Sequence, residues 1–268
     1  MLEAANILVR SGVHLVDLTM GEDPALLDES EGANLLSCIR YLRKSTGVPI
    51  MVSPGVLSDS LLEKIKQMGV EWYACYQETH NVDLFAKLRP KQDYNVRLDA
   101  KYTAKRMGFL IEEGLLCGVG EQIEDVAQSI EEMKNLDADQ VRAMTFVPQQ
   151  GIPLARNYIP DSLQELLTLA VLRLVFPERL IPASLDVDGL RGLRQRLDAG
   201  ANVVTSIVPP GQGLSGVAQS SLDIEEGKRT VNGVRKVLDR CKLRPATAGE
   251  YSLWMKERQI RHTSVSHK

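Results

Sequence analysis

Short runs of β-branched and apolar residues alternate with longer helical segments along almost the whole chain. That alternation restricts the fold more than any other feature of the sequence. HLVDLT (14–19), VPIMVS (48–53), EWYACY (71–76), FLIEEGLLCGV (109–119), QVRAMTFV (140–147), RLIPASLD (179–186) and ANVVTSIV (201–208) have strand composition. Each is followed by helical spacing or by a long loop. Such alternation favours a parallel sheet whose crossovers are right-handed. The helical segments carry their own stop and start signals: Gly47, Gly69 and Gly108 close three of them, and Ser58 or Asp59 can cap one. Asp161 or Ser162 is the expected cap of DSLQELLTLAVLRLVF, and a last barrel helix is expected over IEEGKRTVNGVRKVLDRC (224–241).

A closed barrel of this kind needs eight strands, and about seven are visible. The chain opens on MLEAANILVRSG, which reads as the tail of an amphipathic helix. The expected fold is therefore a TIM-type (β/α) barrel lacking its first strand unit, N-terminally truncated by a start at an internal Met. The barrel is expected over residues 1–245. Residues 246–268 are expected to form a tail, with a short helix at SLWMKER on the barrel bottom and a disordered end. A barrel without its first strand leaves two unpaired edges, so the piece is expected to fold poorly alone. The rival is an open parallel sheet with helices on both faces. Its dinucleotide-binding form lacks support, because no Gly-rich fingerprint follows the opening strand.

Composition excludes several classes. The 268 residues carry a net charge of −3, so no basic surface for nucleic acid is expected. No apolar run is long enough to cross a membrane, and the N-terminus does not have the form of a signal peptide. The four cysteines (Cys38, Cys75, Cys117 and Cys241) are dispersed. They form no disulfide framework and suit a reducing cytoplasm. No HExxH, CxxC, GxSxG or Walker loop occurs, which leaves hydrolases and kinases unsupported. No Lys lies near a strand end, as a Schiff-base lyase barrel would require.

In a parallel barrel, chemistry sits at the C-terminal ends of the strands. Polar residues inside apolar strands are therefore the informative ones. Asp17 lies within HLVDLT. It must either pair with an Arg of a neighbouring strand or face a ligand. Glu22 and Asp23 follow in the loop, where Asp23 before Pro24 suits a helix cap. Ser53 ends VPIMVS and reads as a turn residue or as a donor to a ligand carboxylate. Gln77 and Glu78 are expected at the rim after EWYACY. Arg97, on a helix, reads as a surface partner of Asp93 or Asp99, or as a fork onto a carboxylate. Gly118 and Gly120 permit close backbone approach. Arg142 stands between apolar neighbours, and Ser184 and Asp186 share one strand face at i and i+2. An Arg, a Ser and two carboxylates meeting in a barrel mouth would suit an amino acid with a second amine. A structural layer of salt bridges would account for the same pattern.

HLVDLTMGEDP, PIMVSPG, YQETH, GLLCGVG, VRAMTFVPQQGIPL, RLIPASLD and GANVVTSIVPP together resemble the methylornithine synthase family. These are the radical S-adenosylmethionine lysine mutases of pyrrolysine biosynthesis. The resemblance runs from near residue 10 to about residue 245. It implies a TIM-type barrel that converts L-lysine to (3R)-3-methyl-D-ornithine. It also implies S-adenosylmethionine and a [4Fe–4S] cluster as cofactors, and an electron donor as partner. The family's substrate-holding positions fall on Asp17, Arg142, Ser184 and Asp186. Ser53, Gln77, Glu78 and Arg97 are the candidates for the S-adenosylmethionine site. One departure stands out. The family's CxxxCxxC loop, whose thiolates hold the cluster, is absent from these residues. The cluster is not expected on this chain, and radical chemistry is not expected of it as it stands. A cluster-less barrel that only binds an amino acid is the alternative.

Overall fold

A computed structural model describes residues 2–23, 32–148, 154, 162–209 and 229–265. The seven strand segments read from composition all form strands. They are β1 (Val16–Thr19), β2 (Ile50–Ser53), β3 (Trp72–Ala74), β4 (Leu110–Cys117), β5 (Gln140–Thr145), β6 (Pro182–Ser184) and β7 (Val203–Thr205). Every pairing is parallel. β1 to β5 form one sheet in sequence order, and β6 pairs with β7. A single bridge from Gln140 to Leu180 joins the two sheets, with Val141 N–H donating to the Leu180 carbonyl at 2.9 Å. Among the described residues the result is an arc of seven parallel strands of TIM-type architecture, where a closed barrel has eight.

Ten helices are described: α1 (Leu2–Ser11), α2 (Ala33–Thr46), α3 (Asp59–Gln67), α4 (Val82–Leu88), α5 (Tyr94–Arg106), α6 (Ile123–Asn135), α7 (Ser162–Val175), α8 (Leu193–Asp198), α9 (Val231–Arg240) and α10 (Ala248–Val265). Their limits follow local chemistry. Ser58 accepts from the Leu61 N–H and starts α3, and Asn81 accepts from Leu84 to start α4. Gly47, at φ 67°, closes α2 in the left-handed region. α9 begins later than its sequence suggests. Thr230 accepts from Gly233 and makes Val231 the first helical residue, while 224–228 lie outside the described residues. Pro24 and the expected cap Asp161 also lie outside them.

Strand parity divides the residues into two layers. One face of each strand packs on the helices in the main core, where Ile50, Val52, Tyr73, Ile111, Leu115, Val141, Ala183 and Leu185 are buried. The opposite face looks into the arc. Its lower end is a second apolar cluster of Met51, Trp72, Ala74 and Leu110. α10 closes that floor. Trp254 stacks on Trp72 at 6.1 Å between ring centroids, and Trp72 Nε1 donates to Met255 Sδ at 3.4 Å. Arg258 Nε donates to Asp139, which also accepts from the Ile111 N–H. The short helix expected at SLWMKER is thus an 18-residue helix anchored by an aromatic pair and a buried ion pair. Residues 266–268 lie outside the described residues.

Candidate functional site

Above the floor, the inward positions turn polar. β1 supplies Asp17 and β2 supplies Ser53, held opposite each other by the parallel register. Ser53 Oγ donates to Asp17 Oδ1 at 3.1 Å, and Thr19 Oγ1 donates to Oδ2 at 2.7 Å. Protein atoms crowd around Asp17, yet its side chain is exposed on β1, the edge strand of the five-stranded sheet. Burial pushes its carboxyl from 3.8 to about 6. The Glu112 charge adds to the rise, and the hydroxyl bonds and Arg142 hold it back.

β4 and β5 supply the opposing charge. Arg142 Nε donates to Glu112 Oε1 at 2.6 Å, and Nη1 donates to Thr205 Oγ1 on β7 at 3.2 Å. Its guanidinium lies 5.8 Å from the centre of the Tyr76 ring. Burial alone would make Arg142 easier to deprotonate; the Glu112 charge overrides it and the pKa rises. Gly114 makes the stacking possible. A Cβ there would lie 3.1 Å from the Tyr76 ring and 3.2 Å from Arg142 Cβ.

β6 and β7 complete the wall. Ser184 Oγ is 3.2 Å from Ser206 Oγ, and Ser206 Oγ donates to Asp186 Oδ2 at 2.6 Å. Ser206 reaches both through a left-handed backbone, φ 62°. Arg229 Nη1 binds the other oxygen of Asp186 at 2.6 Å and the Leu185 carbonyl at 3.1 Å. Thr205, the partner of Arg142, pairs in register with Ser184. The structure therefore brings Asp17, Arg142, Ser184 and Asp186 to one lumen. It adds Ser53, Tyr76, Glu112, Thr205, Ser206 and Arg229 to them. Asp17 does not take part in a hydrogen-bonded ion pair with Arg142, and Asp186 is already paired.

The rim residues divide. Gln77 is a correction: it is fully buried on the helix-facing side. Tyr76 occupies the inward parity position, which turns Gln77 outward. There its amide donates to the Tyr94 carbonyl and accepts from Lys101 Nζ, and its N–H donates to Glu113. Lys101 also forms a wholly buried ion pair with Glu113. Burial alone would raise the Glu113 carboxyl; Lys101 overrides it and holds it below the usual range. His80 packs beside this pair. Burial depresses its imidazole to about 4, so it is neutral. Arg97 is likewise no surface partner of Asp93 or Asp99. It is buried, donates to the Tyr76 carbonyl at 2.7 Å and forms an ion pair with Glu22. Glu78, at φ 68°, pairs with Arg89 at 2.8 Å. Glu22, Glu78 and Arg97 thus gather at the β3 end of the mouth, and the Glu22 and Glu78 charges both act on Arg97.

Sequence reasoning passed over Glu112, Tyr76, Thr205, Ser206 and Arg229. Glu112 had a signal. In LIEEGLLC two carboxylates are adjacent within one strand, so one of them must face inward. Arg229 had none, since its role depends on the fold of a distant segment.

No protein-family model matches the chain. It is 43% identical over 249 residues to the 3-methylornithine synthase of Methanosarcina acetivorans, covering 93% of this chain and 71% of that protein. It is 41% identical over 249 residues to the 3-methylornithine synthase of Methanosarcina barkeri, with the same coverage of 93% and 71%. A crystal structure of methylornithine synthase superposes with a TM-score of 0.87 at 40% identity, covering 95% of this chain and 76% of that one.

Proposed function

The chain belongs to the 3-methylornithine synthase family of radical S-adenosylmethionine barrels, and we propose that its lumen is the site that holds L-lysine and the (3R)-3-methyl-D-ornithine formed from it. One observation carries this reading. A guanidinium, Arg142, and two carboxylates, Asp17 and Asp186, line one lumen together with the hydroxyls of Ser53, Ser184, Thr205 and Ser206. Lysine carries one carboxylate and two ammonium groups. Arg142 offers planar donors suited to the carboxylate, and Asp17 and Asp186 offer acceptors for the ammonium groups. With Glu112 and Arg229 counted, the lumen holds three acids and two bases, a net charge complementary to a singly cationic amino acid.

The family's cluster does not fit the cysteines present. Cys75 and Cys117 are buried in the main core, and burial pushes Cys117 up to about 12, the opposite of what a thiolate ligand needs. Cys38 lies on α2 and Cys241 follows α9, both in the outer helical layer. No reaction step is assigned to these residues through a cluster. Among the rim residues, Glu78 and Arg97 would meet S-adenosylmethionine, which in the family supplies the reactive radical; Ser53 is turned to Asp17. No described helix is long and apolar enough to cross a membrane; the cytoplasmic setting is proposed from the reducing conditions that the family's chemistry requires.

Calorimetric titration with L-lysine and 3-methylornithine tests the reading. The protein should bind both, and R142A should weaken both by at least about tenfold, the loss expected for a charge-assisted contact. Absence of binding by the unsubstituted protein would overturn the assignment.

A further inference from the structure

Among the described charged residues of the lumen, Glu112 has no accessible surface. Glu112 is completely buried, beneath an Arg142 side chain that is itself 14% exposed. It therefore cannot touch a ligand. Its Oε1 accepts from Arg142 Nε at 2.6 Å, while Oε2 makes no hydrogen bond. The Tyr76 hydroxyl comes close to the same carboxylate without donating geometry, and the Tyr76 ring lies under the guanidinium. Gly114, two residues further along β4 and so on the same face, leaves room for that ring and for Arg142. Burying a carboxylate with one oxygen unsatisfied is costly. A purely structural partner for Arg142 would more easily have been placed at the wet mouth. Here the arrangement fixes the inner edge of the guanidinium from below.

We infer that Glu112 is a positioning residue: it pins Arg142 through Nε, with Tyr76 stacked beneath, so that the outer edge of the guanidinium is aimed at a ligand α-carboxylate. This deepens the proposed lysine site and rests on it. A guanidinium held at one edge retains parallel donors at the other, and a preset aim saves the ordering cost of a long side chain on binding. The consequence is selective. Losing Glu112 weakens ligands that carry a carboxylate and spares those that do not.

The test uses L-lysine and 1,5-diaminopentane, which is lysine without its carboxylate. Binding to the unsubstituted protein, E112A and E112Q is measured by calorimetry alongside thermal melts. E112A should lose about tenfold or more in lysine affinity, with diaminopentane affinity changing less than about twofold. E112Q, which keeps an oxygen acceptor for Nε, should recover lysine binding to within about threefold of the parent. Equal losses for the two ligands, or no loss for lysine, would overturn the positioning role. If E112A does not fold, E112Q decides the matter: a lysine-specific loss of tenfold there means that charge rather than aim is at work, and the inference fails. Failure of the unsubstituted protein to bind lysine overturns the site reading and this inference with it. Lysine binding that is sensitive to R142A but indifferent to Glu112 overturns this inference alone.

Discussion

Glu112 and Glu113 are adjacent in sequence and sit on opposite sides of the barrel wall, each ion-paired with a different cation. Glu112 faces inward to Arg142, and Glu113 faces outward to Lys101. Two charged layers are thus built on one strand. The inner layer belongs to the ligand site. The outer one ties β4 to α5 and to the turn after β3, through Gln77. The two layers give different consequences when broken.

Lys101→Met leaves Glu113 buried without a counter-charge. The cost should be about 3 kcal/mol, typical of breaking a buried pair by removing one partner. The melting temperature should fall by several degrees. K101M/E113L, which removes both charges, should recover much of that loss. A double variant no more stable than the single one would argue against the pair as the cause. Lysine affinity should change little as long as the protein is folded.

Asp17 makes the site pH-dependent in two ways. Its carboxyl rises from 3.8 to about 6 on folding, chiefly through burial. The folded state therefore favours the neutral acid: the resulting stability is fully present below 3.8 and is lost as pH rises through about 6. D17N should raise the melting temperature at pH 8 and leave it unchanged near pH 3. The exposure of the Asp17 side chain screens the charge and reduces the effect to about 1 kcal/mol. Ligand binding runs the other way, because lysine needs the charged form. Parent affinity should climb between pH 5 and 7.5, and the D17N profile should be flat. Titrations across that range check both signs.

Asp186→Asn removes the partner of buried Arg229 and one acceptor for a ligand amine. A stability loss of about 3 kcal/mol is expected from the unpaired guanidinium, with lysine affinity reduced at least about tenfold. Ser206→Ala, which removes only a hydroxyl contact to the same carboxylate, should cost about 1 kcal/mol. Melts and calorimetry of the two variants should rank in that order.

Gly114→Ala tests the close packing under Arg142. The added methyl would press on the Tyr76 ring and on Arg142 Cβ. Tighter packing of this kind costs about 1–3 kcal/mol, and lysine affinity should fall because the guanidinium is displaced. An alanine variant with unchanged affinity would show that the ring and the guanidinium have room to spare.

Trp254→Ala removes the ring stacked on Trp72 at the floor. It should destabilise the fold by about 2 kcal/mol without altering lysine selectivity, since the floor lies at the far end from the mouth. Denaturant melts measure the first effect and competition with 1,5-diaminopentane the second.

Much of this was legible along the chain. Strand composition located all seven strands, and the i, i+2 spacing of Ser184 and Asp186 put both on one face. Asp17 and Arg142 stood out as charges in apolar strands. Gln77 shows where local reading stops: it was grouped with Glu78 at the rim, yet alternation from Trp72 through Tyr76 directs it into the helix layer, where Lys101 holds it. Arg97, read as a surface partner of Asp93 or Asp99 or as a fork onto a carboxylate, pairs with the Glu22 carboxylate from a different loop.

The alternation of segments and the two-residue period are local properties of a polypeptide, so the order of chain residues was enough to define the strands and their parallel sense, and to single out Asp17, Arg142, Ser184 and Asp186 of the inward set. Pairing within that set is not local. Arg142 meets Glu112 and Thr205 because curvature brings β4, β5 and β7 around one space, and Asp186 meets Arg229, a residue 43 positions later in the chain. Buried charges must find partners at short range wherever the folded backbone delivers them. Only the folded arc could specify which ones met.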